Sequence, residues 1–284
     1  MKIDKKIIQE LSDYLKEFNL TEIEITEKDT KIKVSKNNVS ITNLSSFFTM
    51  QSILLNKALV SIGCRVNWNS YEKDISIAPR LNIDLSLNKL WGNLIFNSGR
   101  YFQNPPEKYL SVVNHNDLKS VNTFQHSLTF EKLITRSTKF SISIYEKQYS
   151  NAPMMERNQM FVDPTFLLDE LKTYKNIISN GEAKTNGIEI LLEKKRAINF
   201  YGLIGGSIYN STYNDQQGVE RSRNNNYEYL FNLVGGYRPN PKWEISLRWS
   251  LFGGRPYTRV DLESSNYTNE EVLFYSQFNQ SKTP

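Results

Sequence analysis

The sequence predicts a mainly β chain: part of an antiparallel, membrane-spanning β-barrel of about nine or ten strands, preceded by a small helix and a β-hairpin. Two patterns predict it. From about Ala58 to Phe252, strand-length stretches alternate apolar with polar residues, and the connections between them alternate short with long. A third observation removes the competing membrane architecture. The chain has no run of about 18 apolar residues to make a helical span. Its mean hydropathy of −0.52 fits strands that wet every second residue.

The first 36 residues differ from the rest. Ile3, Ile7, Ile8, Leu11, Tyr14, Leu15 and Phe18 fall at helical spacing, which predicts an amphipathic helix over Asp4–Phe18. Ile23 and Ile25, then Ile32 and Val34, predict two short strands about the polar turn Glu27–Thr30. A junction is expected over 37–43, so the domains read 1–36, then 44–284.

The strands follow in order. Val60, Ile62, Cys64, Val66 and Trp68 oppose Ser61, Gly63, Arg65 and Asn67. Ile75, Ile77, Pro79, Leu81, Ile83, Leu85 and Leu87 oppose Ser76, Ala78, Arg80, Asn82, Asp84 and Ser86. A strand that long, with one greasy and one polar face, is unusual in a soluble sheet but matches a barrel strand. Phe124, His126, Leu128 and Phe130 share a face, as do Phe140, Ile142 and Ile144. Tyr227, Tyr229, Phe231, Leu233 and Tyr237 follow, then Trp243, Ile245, Leu247, Trp249 and Leu251 against Glu244, Ser246, Arg248 and Ser250. In Leu90–Tyr101 and Phe200–Asn210, apolar residues and glycines fall on both faces and the register is not readable.

Short connections are expected at Leu54–Lys57, Leu87–Lys89, Lys132–Ser137, Lys194–Arg196 and Arg238–Lys242. Between them lie Asn69–Lys73, Phe102–Asn122, Glu146–Asn186, Ser211–Asn226 and the stretch after Phe252. Tight turns on one side and long loops on the other describe a bacterial outer-membrane barrel. A sandwich has no reason to lengthen every second connection.

Aromatic residues make up 12% of the chain, enough for girdles at the bilayer interfaces. Trp68, Trp91, Trp243 and Trp249 are the membrane-interface candidates, with ordinary sheet packing as the alternative. Arg80, Lys147 and Arg248 would point into the lumen of a closed barrel. The formal charge of +5 is spread along the chain without a basic block, so nucleic acid is not an expected partner. The single cysteine, Cys64, falls on an apolar strand face, where a small packing residue is the plain reading.

Catalytic chemistry lacks its residues. His115 and His126 do not form a metal pair at ligand spacing, and Gly202, Gly205 and Gly206 lie inside a strand pattern rather than before a helix. Asp163, Asp169 and Glu170 in the longest loop could do acid–base work or bind a cation, but Asp163–Pro164 also starts a short solvated helix in the usual way. No enzyme activity, cofactor or metal is expected.

Two resemblances add to this reading. The opening MKIDKKIIQELSDYLKEFNLTEIEITEKDTKIKVSK resembles the N-terminal segment of the biotin carboxyl carrier protein of acetyl-CoA carboxylase, although the biotinylated lysine between two methionines has no counterpart: Met154 and Met155 are adjacent. From about residue 44 to 284 the chain resembles the C-terminal part of a TonB-dependent outer-membrane receptor barrel. The likeness lies in ISIAPRLNIDLSLNKLWGNLIFNSGRYFQNPPEKYL, FSISIYEKQYSNAPMM, NGEAKTNGIEILLEKK, NLVGGYRPNPKWEISLRW and GGRPYT, in that order. This second resemblance implies an outer-membrane location, lipid as a partner, and uptake of a nutrient or siderophore powered through the TonB system. Neither plug domain nor TonB box is identifiable, the chain ends at Pro284, and about ten strands stand against about 22 in a complete transporter. The expectation is therefore a truncated or fused fragment, inactive alone. Charges at Lys5, Lys6, Glu10 and Asp13 interrupt any signal-peptide core, which conflicts with export. Two other functions are carried alongside: a carboxylase-associated protein docking through its N-terminal segment, and a soluble carbohydrate-binding sheet.

Overall fold

The computed structural model describes residues 13–14, 22–27, 30–35, 42–54, 56–88, 91–106, 109, 118–155, 177–197, 199–215, 217–259 and 281–282. The chain divides into two units, Met1–Thr42 and Asn43–Pro284. In the first, β1 (Glu22–Glu27) pairs antiparallel with β2 (Thr30–Ser35). Ile23 faces Val34 and Ile25 faces Ile32, as the alternation requires. Of the expected helix, Asp13 and Tyr14 are described and helical; the remainder lies outside the described residues.

The second unit is one antiparallel sheet in which ten strands pair in chain order. They are β3 (Asn43–Leu54), β4 (Ala58–Asn69), β5 (Ile75–Asn88), β6 (Gly92–Gln103), β7 (Val121–Thr135), β8 (Thr138–Met155), β9 (Ile177–Ala197), β10 (Phe200–Asn214), β12 (Tyr229–Asn240) and β13 (Trp243–Phe252). The short β11 (Glu220–Ser222) pairs with the end of β10, and β14 (Pro256–Tyr257) pairs with β15 (Ser281–Lys282). Strands β3 and β13 are open edges among the described residues, so the sheet is a partial barrel.

Register across the sheet segregates the faces. A single cross-strand row runs through Leu54, Ala58, Leu85, Leu94, Phe130, Ile142, Ile190, Gly206, Phe231 and Leu251, crossing all ten strands without a polar side chain. The row above it is polar at Ser52 on β3 but apolar from Val60 through Ile83, Phe96, Leu128, Ile144, Ile188 and Ile208 to Tyr229. Among the described residues no protein layer covers this face: Ile144 is 50% exposed and Ile208 72%. Soluble monomers rarely expose an apolar patch beyond a few hundred Å². The opposite face carries polar ladders, including Asn82 Nδ2 to Asn97 Oδ1 at 2.7 Å and the Thr129–Ser143 hydroxyl pair at 2.8 Å.

The apolar band slides along the strands. On β5 its midpoint is Leu81, whose row passes through Ser98, His126 and Glu146 to Asn186 on β9. There the aliphatic run Ile188, Ile190, Leu192 is centred on Ile190, four residues nearer the short turns. The row of Ile190 reaches Leu251 on β13, where the run is centred on Leu247, again four residues nearer the short turns. The drift is about one residue per strand. With a rise of ~3.3 Å per residue and strands ~4.8 Å apart, a level band requires strands tilted about 35–40°.

Several strands outrun the sequence reading. The stretch Glu146–Asn186 is not one loop, because β8 continues to Met155 and β9 begins at Ile177. The turn expected at Lys132–Ser137 is tighter, with Thr135 paired to Thr138. Strand β3 precedes the first strand read from sequence, and β6 and β10 take definite registers through their glycines.

Candidate functional site

Fully buried side chains among the described residues gather at the long-loop end of the sheet: Ala78, Leu118, Ala152, Met154, Ile177 and Tyr213 are each at most 2% exposed. Polar groups pin the loops there. Glu72 accepts from the Ser120 backbone N–H and from its hydroxyl (2.5 Å), and Asn69 Nδ2 donates to the same carboxylate at 2.8 Å. Ser120 also reaches Asn104, which donates to Asn43.

The connection after β10 is built around Asp215 and Asn226. Asp215 Oδ1 accepts the N–H groups of Gln217 (2.9 Å) and Val219 (2.8 Å), and Oδ2 accepts Arg221 Nε at 2.7 Å. Burial works against the Asp215 charge, yet the Arg221 guanidinium and the two backbone donors outweigh it and hold the carboxyl below its ordinary value. Asn226 accepts from Ser211 N and donates to Asn210 and Ser222. These bonds fold the connection onto the sheet and set the Arg223 guanidinium 5.2 Å from the Tyr149 ring.

Below this rim, three rows of the polar face form a wall. The lowest runs Asn82, Asn97, Ser127, Tyr145, Gly187, Tyr209. The middle row runs Arg80, Gly99, Gln125, Lys147, Thr185, Ser211, and the upper one Tyr101, Thr123, Tyr149, Ala183, Tyr213. Cations and rings interleave: Arg80 lies 4.6 Å over Tyr101, and Lys147 5.2 Å over Tyr145.

Two glycines make room for the rings. A Cβ on Gly99 would come within 3.1 Å of Arg80 Cγ and 3.3 Å of Tyr101, while one on Gly187 would come within 2.7 Å of Tyr209 Cβ and 2.9 Å of the Tyr145 hydroxyl. Such a wall can hold anionic groups by charge-assisted hydrogen bonds and flat rings by stacking.

Arg80 and Lys147 thus stand in one row of the polar face. Arg248 is on the same face but elsewhere, in the row of Val234, Leu203, Glu193 and Lys139. Trp68 ends β4 beside the long loops; Trp91 and Trp243 sit at short turns, each 68% exposed; Trp249 lies within β13 against Phe231, ring centroids 5.5 Å apart. His126 packs edge-on to Phe124 on the apolar face and directly faces Glu146. His115, Asp163, Asp169 and Glu170 lie outside the described residues. The sequence reading did not single out Tyr101, Tyr145, Tyr149, Tyr209 or Tyr213. Their signal was available as tyrosines at the polar positions of alternating strands.

Comparison with known proteins agrees with this architecture. Residues 12–279 match the family described as TonB dependent receptor-like, beta-barrel. No curated protein sequence matches the chain. Among solved structures, the outer membrane transporter YddB from Escherichia coli is similar with a TM-score of 0.56 at 13% identity, over 86% of this chain and 37% of that one. The FrpB iron transporter from Neisseria meningitidis gives 0.55 at 10% identity, over 88% and 37%. The pyoverdine outer membrane receptor FpvA from Pseudomonas aeruginosa, bound to pyoverdine, gives 0.57 at 12% identity, over 85% and 35%. The chain therefore spans little more than a third of the length of these structures.

Proposed function

Because the chain belongs to the TonB dependent receptor-like β-barrel family, a family of transporters rather than enzymes, we propose that it forms part of the wall of an outer-membrane receptor that takes up a nutrient or siderophore. The observation that carries this reading is the apolar row through all ten strands, drifting at the rate a tilted barrel strand needs. Lipid contacts that face, Trp91 and Trp243 anchor it at the short-turn interface and Trp68 at the long-loop one, Trp249 packs on Phe231 within the band, and Arg80, Lys147 and Arg248 face the lumen. In lipid an unpaired strand edge costs several kcal/mol per backbone group. In the bilayer the backbone groups along β3 and β13 therefore need further strand partners. Purification tests the reading: it should require detergent or vesicles, and a stable monomer without either contradicts it.

For the N-terminal unit, the proposal is that residues 1–36 form a separate helix–hairpin segment, similar to the start of biotin carboxyl carrier protein, joined through 37–43. The pairing of β1 with β2 suits such a segment. The family match begins at residue 12, so the two assignments compete for residues 12–36. Limited proteolysis separates them: cleavage within 37–43 that leaves a stable 44–284 product supports two units, and protection of that stretch refutes them.

A further inference from the structure

We infer that the wall around Gly99 and Gln125 recognises a ring-bearing dianion, with Arg80 and Lys147 as its specificity-determining cations; the inference rests on the transport reading above. The two cations share one row and stand three strands apart, about 14 Å along the sheet. Among the described residues neither has a carboxylate partner, and each is held only over a tyrosine ring. Several other basic groups on the sheet are paired with carboxylates: Lys139 with Glu131 (3.2 Å), Lys184 with Glu146 (2.8 Å), Arg221 with Asp215 (2.7 Å) and Arg238 with Glu244.

Glu72 and Asp215 at the long-loop rim are engaged by Ser120 and by Arg221, and the row of Arg80 and Lys147 itself holds no carboxylate. Asp84 and Glu189 share a row with Ile95, Thr129 and Ser143, two rows below that of Arg80. The ground between the two cations is therefore free of negative charge. Gly99 lacks a side chain there, which lets Arg80 and Tyr101 pack close over the strand, and Gln125 supplies an amide that can donate or accept. Tyr101 and Tyr149 stand in the row above and Tyr145 in the row below, each with a cation over its ring. A neutral solute would leave both cations without a counter-ion, and a single small anion would satisfy only one. A flat ring system with an acidic group at each end uses both cations and the rings together.

The full chain, folded into phosphatidylcholine vesicles, is titrated with naphthalene-2,6-disulfonate, naphthalene-2,6-diol and inorganic sulfate. The disulfonate should bind at least about tenfold more tightly than either of the others. Arg80→Gln and Lys147→Gln should each weaken it about tenfold, and Arg80→Lys should restore most of the loss. Arg248→Gln, on the same face but outside the wall, should change nothing. Equal binding of disulfonate and diol, or of disulfonate and sulfate, overturns the inference. So does unchanged affinity in both glutamine variants. Insertion is measured on the same samples by strand-type circular dichroism and co-flotation with the vesicles. Insertion without disulfonate binding defeats the recognition alone, whereas failure to insert defeats the transport reading and the inference with it.

Discussion

At the scale of single residues, Asp215 is a buried carboxylate paired with the buried Arg221. Its carboxyl is held below the ordinary value, so its stabilising contribution is complete above the unfolded carboxylate pKa of about 3.9 and disappears as pH falls through the lower folded value. Protection of the Gln217 and Val219 amides from hydrogen exchange, corrected for intrinsic rates, should be flat from about pH 5 to 8 and fall only below about pH 4. Asp215→Asn should cost about 3 kcal/mol locally at neutral pH, because Arg221 keeps its charge in a buried place. Gly187 gives a second test. Gly187→Ala forces a Cβ against Tyr209 and the β10 backbone and should cost about 1–3 kcal/mol in urea unfolding. The alternation of Ile75–Leu87 and of Phe140–Tyr145 was enough to assign Arg80 and Lys147 to the polar side. It could not pick out the tyrosines, because an aromatic residue fits either face of a strand pattern.

At the scale of elements, a strand was legible where it crosses the apolar band and illegible where it leaves it. Thirteen residues of β5 alternate within the band, and its bounds were read to within a residue. The first half of β9, IISNGEAKTNG, runs beyond the apolar band, where Ile177 and Ala183 are buried locally but no lipid-facing surface imprints a period of two. The far end of β8 adds a register shift between Tyr149 and Ala152, with Asn151 at φ 58°, which breaks what period remains. In β10 the obstacle was glycine: Gly206 occupies the apolar row and Gly205 the polar face, so a window on sequence sees no contrast. The two faces of β8 should respond oppositely to charge. Ile142→Arg on the apolar row should lower vesicle-folded stability by about 2–4 kcal/mol, while Ser143→Arg, one residue away on the polar face, should cost less than about 1 kcal/mol.

At the scale of the whole molecule, the short-and-long alternation of connections, the apolar row and its drift describe one object: a tilted sheet whose outer surface is made for lipid. Polarised infrared spectroscopy of oriented bilayers should return strands inclined about 35–40° to the membrane normal. Among the described residues the sheet holds ten strands on its main path and two open edges, and the chain covers 37% of each of the transporter structures YddB and FrpB. The claim on which the rest depends is that one face of this sheet meets lipid and the other meets water. Cys64 is the only cysteine, so a Cys64→Ser background permits single spin labels along β8 from Lys139 to Tyr145 in vesicles. Accessibility to dissolved oxygen should peak at Phe140, Ile142 and Ile144, and accessibility to a water-soluble nickel complex at Ser141, Ser143 and Tyr145. A profile without a period of two, or with the phases exchanged, would contradict the account.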